Sequence, residues 1–156
     1  MIINTVDMPD FVFTEFSEDP DEHAHPQLLK AVQEYRTLLG NPLHPSTAPG
    51  ALARFELDDI YSEHYALGEM SRALDVFPDC DIFEAFMIAI RSGLFNGIGV
   101  YFDTHYKGAY KPMLHLDLRF DKLMWFRSGG VYTYDSDPDF YWKLVSEFNL
   151  HKIYVK

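Results

Sequence analysis

Leu114-His115-Leu116-Asp117-Leu118-Arg119 alternates apolar and ionisable residues without a break. In an extended strand successive side chains point to opposite faces, so His115, Asp117 and Arg119 share one face and the three leucines share the other. A leucine row is what a core claims, and the polar row must then line either solvent or a cleft. Neighbouring strands are legible on both sides. Gly97 to Phe102 reads as one, divided from Met113 to Arg119 by a polar turn containing Asp103, Lys107, Gly108 and Lys111. Arg72 to Phe77 reads as another, in which the alternation of Leu74 with Asp75 turns the carboxylate away from the core. Val131 to Tyr134 reads as an edge strand.

Helical periods flank these strands. Pro26 suits the first turn of a helix through Leu28, Leu29, Val32, Tyr35, Leu38 and Leu39, with Gly40 just past its end. The acids between Ser17 and Glu22 would sit at the positive end of its dipole. Asp79 to Ser92 reads as a second helix, with Phe83, Phe86, Met87 and Ile90 facing the core and Gly93 as its stop. Asp137 and Pro138 suit the cap and first residue of a last helix, Phe140 to Phe148, and capping also accounts for the acids Asp135 to Asp139. Asn41 to Gly50, with Pro42, Pro45 and Pro49, must be loop or extended pieces. The expectation is a single α+β domain over residues 1–156, a small, mostly antiparallel sheet flanked by helices.

At 156 residues, 47% hydrophobic and 16% aromatic, the chain has ample apolar surface for one packed core, which excludes intrinsic disorder. Its 24 acids against 13 bases give a formal charge of −11 with no basic cluster, so nucleic acid is excluded as a partner. The single cysteine, Cys80, cannot make an internal disulfide and reads as packing. Met1 to Phe13 lacks the basic start of an export signal. The longest apolar run, around Ile82 to Ile90, is far short of the roughly 20 residues that span a bilayer. Synthesis in the cytoplasm without a signal peptide or transmembrane segment is expected.

Two segments place ionisable groups among apolar ones: Ser62-Glu63-His64 with Arg72-Ala73-Leu74-Asp75, and His115 to Arg119. A catalytic zinc takes three protein ligands, imidazole or carboxylate, at about 2.0–2.2 Å and leaves a fourth position for water. His64, Asp75 and His115 fill that quota if the strands carrying Asp75 and His115 are neighbours. His44 and His105 are spare donors.

Ser62-x-His64 followed by Ala73-x-Asp75, then Gly97-Ile98-Gly99-Val100-Tyr101 and His115-x-Asp117-x-Arg119, resembles the zinc D-alanyl-D-alanine carboxypeptidases and related phage peptidoglycan endopeptidases, with their Hedgehog/DD-peptidase fold. That family's first motif runs Ser-x-His-x-x-Gly-x-Ala-x-Asp, and one branch continues with Gly-x-Gly-x-Tyr and His-x-Asp. The resemblance implies His64, Asp75 and His115 as zinc ligands and a metal-assisted hydrolysis of peptide bonds in peptidoglycan stem peptides. It implies a carboxylate that moves the proton, and in several branches this acid lies three residues before the last histidine. Pro112 stands there in this chain. Asp117 is the remaining candidate, as proton carrier or as a residue orienting His115, and Arg54 or Arg119 would hold a substrate carboxylate.

His64 and Asp75 are separated by ten residues, four more than in the family motif, with Ser71 at the place of its glycine and Gly68 inside the insertion. A wall substrate without an export signal implies a phage or prophage protein, either a lysis enzyme released by another component or part of the particle. The competing expectation is a binding or structural module that keeps the peptidase scaffold without catalysis.

Overall fold

A computed structural model describes residues 6–152. Its helices are α1 (Pro20–His23), α2 (Pro26–Leu39), α3 (Ile82–Ser92) and α4 (Phe140–Lys152). The strands are β1 (Leu43–Pro45), β2 (Ala73–Pro78), β3 (Gly97–Tyr101), β4 (His105–Tyr106), β5 (Ala109–Tyr110), β6 (Met113–Asp117), β7 (Leu123–Ser128) and β8 (Val131–Tyr134). Six of them form one mixed sheet in the order β1-β2-β6-β3-β7-β8, antiparallel at every pairing except β3 with β7. The architecture is α+β, and the sheet is mostly antiparallel.

The leucine face of β6 behaves as its alternation requires. Leu114 and Leu116 join Leu74 and Val76 of β2 and Ile98 and Val100 of β3 in a core closed by Leu28, Leu29, Val32 and Tyr35 of α2, Ala85 and Phe86 of α3, and Phe140, Leu144 and Phe148 of α4. Helix α2 ends on Gly40 at φ 68°, the left-handed conformation that glycine adopts without a Cβ penalty. Its N-cap is His25, whose ring nitrogen accepts from Gln27 N, so the acids before it serve elsewhere. Asp19 caps α1, and Glu18 accepts from Gly50 N at 2.6 Å, tying down the segment that leads to the candidate site.

Helix α3 turns differently from the reading of its large residues. It buries Ile82, Ala85, Phe86 and Ala89 and leaves Phe83 and Ile90 exposed. The two alanines let the helix approach α2 closely, where the buried Tyr35 hydroxyl donates to Ala85 O at 2.7 Å. Phe83 instead packs edge-on against Phe148 of α4. Burial, with Glu84, Asp81 and Asp79 nearby, pushes the Cys80 thiol up to about 11, so the helix start does not activate it.

The short helix α1 and the strands β4, β5 and β7 lie outside the sequence reading. The polar turn between β3 and β6 contains the β4–β5 hairpin, whose tip Lys107-Gly108 has φ of 51° and 78°. Strand β7 inserts parallel to β3. Its sequence, Leu-Met-Trp-Phe-Arg-Ser, has no period of two to announce it.

Candidate metal centre

The polar face of the sheet is built in register. Asp75 of β2 lies opposite His115 of β6, His115 opposite Gly99 of β3, and Gly99 opposite Trp125 of β7. The segment from Ser46 to Arg72 folds along this side and delivers His64, because Arg54 N donates to His64 O at 2.8 Å and Ala66 N donates to Arg54 O at 2.8 Å. Asp75 and His115 come from neighbouring strands and His64 from the adjoining loop. All three side chains are buried.

The extra residues between His64 and Asp75 bulge outward at Leu67, Gly68 and Glu69, with Gly68 at φ 77°. They leave the donors together. His64 Nε2 stands 3.1 Å from His115 Nδ1 and 3.4 Å from Asp75 Oδ1, and His115 Nδ1 stands 2.9 Å from that same oxygen. Donors about 2.0–2.2 Å from a tetrahedral ion are about 3.3–3.6 Å apart, so this triangle is a slightly contracted face of such a tetrahedron.

The outer nitrogens decide what the inner ones are. His64 Nδ1 is 3.2 Å from the carbonyl oxygen of Leu52, which only accepts, so Nδ1 carries the hydrogen. His115 Nε2 is 2.8 Å from Asp117 Oδ2, a carboxylate, so Nε2 carries the hydrogen there. In both neutral rings the lone pair then points inward, towards the other lone pair and the Asp75 oxygen. Three acceptors about 3 Å apart repel one another unless the centre holds positive charge, either a metal ion or the proton that His115 Nδ1 donates to Asp75 when no metal is bound. The buried group His64, Asp75 and His115 can hold a metal ion, and its outer partners are of the kind that fix ligand orientation.

Charge is distributed accordingly. Burial alone would lower the His115 pKa, but the hydrogen bonds and charges of Asp117 and Asp75 push it up to about 9. Burial alone would raise Asp75, yet His64 and His115 hold it well below the usual carboxylate range. Asp117 is held low against its burial by His115 and Arg119. The field that retains a proton on His115 is one for which a metal ion competes. His115 therefore stabilises the chelated fold fully below its unfolded pKa of about 6.5 and loses that contribution as pH rises through about 9. The expected result is a melting temperature that falls from pH 6.5 to 9 in chelator but not with metal in excess; parallel curves in thermal melts would contradict it.

Asp117 is fully buried and both its oxygens are engaged: Oδ2 by His115, Oδ1 by Arg119 N at 3.0 Å and Arg119 Nε at 2.9 Å. β6 ends at Asp117, which lets Arg119 turn back onto it and lie over the Trp125 ring, 5.0 Å from its centroid. Arg54 is less committed: Nε donates to Gly50 O at 3.1 Å, and Nη1 is 3.6 Å from Asp59. Ser71 is buried, and its hydroxyl donates to Leu52 O at 2.5 Å, the carbonyl that also orients His64. The spare donors stand outside the group: His44 pairs with Asp79 at 2.8 Å, and His105 is exposed on the hairpin.

His64 and His115 open onto a cleft of about 280 Å³ lined also by Arg54, Glu63, Tyr101, Arg119, Trp125 and Tyr132. Asp75 opens onto a smaller hollow of about 220 Å³, which shares Arg54 with the cleft. Pro112 lines neither; it faces a separate hollow of about 380 Å³ beside Asp79, Cys80 and Lys111. The signals absent from the sequence reading are the carbonyl of Leu52, which carries no side-chain signature, and the place of Trp125, which depended on an unrecognised strand.

No protein-family model matches the chain, nor does any curated protein or solved structure. No helix among the described residues is long and apolar enough to cross a membrane.

Proposed function

We propose that the protein is a zinc-dependent peptidase of the D-alanyl-D-alanine carboxypeptidase and endopeptidase type, acting on peptidoglycan stem peptides. The observation that carries this reading is the set of three inward-facing acceptors, two of them fixed by outer partners, at the floor of an open cleft. Two imidazoles and one carboxylate suit zinc, which also needs an open position for catalysis. Bound there, zinc lowers the pKa of its water towards about 7 and polarises a carbonyl. Asp117 orients His115. Arg54, loosely paired and shared by both hollows, is the residue for a substrate carboxylate, whereas the Arg119 guanidinium is occupied by Asp117. A phage or prophage setting follows the motif resemblance, with action at the wall after release or from the particle.

A second reading keeps the scaffold and drops the chemistry: a catalytically inactive binding or virion structural module. It is favoured by Pro112 at the place of the family's acid, facing away from the cleft. The protein is expected to purify with about one equivalent of zinc and to release soluble peptide products from purified peptidoglycan, with activity abolished by chelator and restored by zinc. His115→Ala is expected to carry no zinc. Metal-loaded protein that leaves peptidoglycan intact, or metal-free folded protein, would end the hydrolase reading and support the module.

A further inference from the structure

Strand β3 presents Gly97, Gly99 and Tyr101 on the face shared with Asp117 and His115. Two consecutive positions on that face carry no side chain, and the third carries a phenol that lines the cleft together with His64 and His115. The Trp125 indole lies over Gly99, where a Cβ would come within 2.4 Å of the ring. The same indole contacts His115, with ring centroids 5.0 Å apart, and its Nε1–H donates to the Tyr101 hydroxyl oxygen at 3.1 Å. One acceptor position of that hydroxyl is therefore filled by a rigid neighbour, and its own hydrogen, directed to the Tyr132 hydroxyl at the cleft wall, is the one it can turn to a carbonyl oxygen in the cleft. The Arg127 guanidinium sits 4.7 Å from the Tyr101 ring centroid, drawing electron density from the ring and strengthening the O–H as a donor.

We infer that Tyr101 donates a hydrogen bond to the carbonyl oxygen of the scissile amide as negative charge develops on it, an assignment that rests on the hydrolase reading above. Hydrolysis adds the oxygen of water to the amide carbon and moves the C=O π pair onto the carbonyl oxygen. Collapse re-forms that double bond and breaks the C–N bond. The products are a carboxylate and an ammonium group, with both water protons ending on the departing nitrogen. Charge on the carbonyl oxygen exists only between the two steps, so a fixed donor aimed there accelerates the reaction without tightening substrate binding. Burial holds the Tyr101 phenol above its ordinary pKa, so it keeps the hydrogen to be donated.

Tyr101→Phe retains the ring that Arg127 and Tyr132 contact and removes only the hydroxyl. With zinc-loaded protein, kcat on a stem-peptide substrate is expected to fall about 100- to 1000-fold, with KM and zinc content unchanged. Calorimetric affinity for a phosphinate dipeptide, whose tetrahedral P–O⁻ replaces the scissile carbonyl, is expected to fall about tenfold or more. A kcat within threefold of wild type overturns the assignment. If wild-type protein hydrolyses nothing, the hydrolase reading fails and phosphinate affinity alone decides Tyr101. Weaker binding by Tyr101→Phe then supports the donor, and equal binding, or none by wild type, overturns it. Should Tyr101→Phe fail to fold, Trp125→Phe, which removes the hydrogen holding the hydroxyl, carries the same expectation in the phosphinate assay.

Discussion

Gly97→Ala is expected to destabilise the protein by about 3–5 kcal/mol and to abolish high-affinity metal binding, although the substitution adds a single methyl group far from any ligand in sequence. A Cβ built on Gly97 falls 2.0 Å from Asp117 Oδ1 and 2.3 Å from its Cγ. Overpacking elsewhere costs about 1–3 kcal/mol because side chains shift aside. Asp117 has no such freedom, since it is fully buried and held by His115 and by Arg119 through both backbone and side chain. Either β3 separates from β6, or the carboxylate leaves His115 with an unpaired N–H. Gly93→Ala is the matched control: its φ of 66° makes alanine strained, but nothing lies within 4 Å of the added carbon, so about 1–2 kcal/mol is expected. Denaturant unfolding of both variants, with zinc content measured alongside, tests the pair. Equal losses would show that the Asp117 contact has no special weight.

Alternation from Leu114 to Arg119 determined which face of the sheet is core: Leu114 and Leu116 are buried, and Leu118, just past the end of β6, packs partly buried against the same core. Pairing of Asp75 with His115 followed once both strands had been recognised. The orientation of α3 followed only in part: Phe86 is buried and Met87 packs against the core, but Ala85 and Ala89, not Phe83 and Ile90, complete the buried face where two helices approach closely. Strand β7 was hidden for a different reason. It lies between β3 and β8 in the sheet and is at least partly buried on both faces, so it has no alternation, and its apolar run, Leu123 to Phe126, is too short to tell a strand from a stretch of helix. Missing β7 also removed Trp125 from the polar face, and with it the reason for Gly99 and the partner of Tyr101. Backbone groups leave no trace in a motif, so the carbonyl of Leu52, which sets the tautomer of His64, was beyond reach.

Asp117 is where the sequence left two roles open, and the two predict opposite behaviour under saturating zinc. A residue that orients His115 acts through metal affinity; a residue that carries the proton acts on the chemical step. In Asp117→Asn one oxygen is replaced by an amide NH₂, while the buried site presents hydrogen-bond donors to both. If the NH₂ faces His115, the imidazole hydrogen must move to Nδ1, which fills the lone pair aimed at the centre. Metal affinity is therefore expected to fall about 10- to 100-fold, as when other outer partners of ligating histidines are lost. Raising zinc above the new dissociation constant is expected to restore kcat to within about tenfold of wild type. Loss of a proton carrier would leave kcat down by about 10²–10⁴ at any zinc concentration. Asp117→Ala, which leaves the Arg119 guanidinium without its buried carboxylate, is expected to cost about 3–5 kcal/mol in stability as well. Zinc titration of Asp117→Asn, followed by activity at saturation, separates the two roles, and a kcat that stays low at full occupancy would return Asp117 to the chemistry.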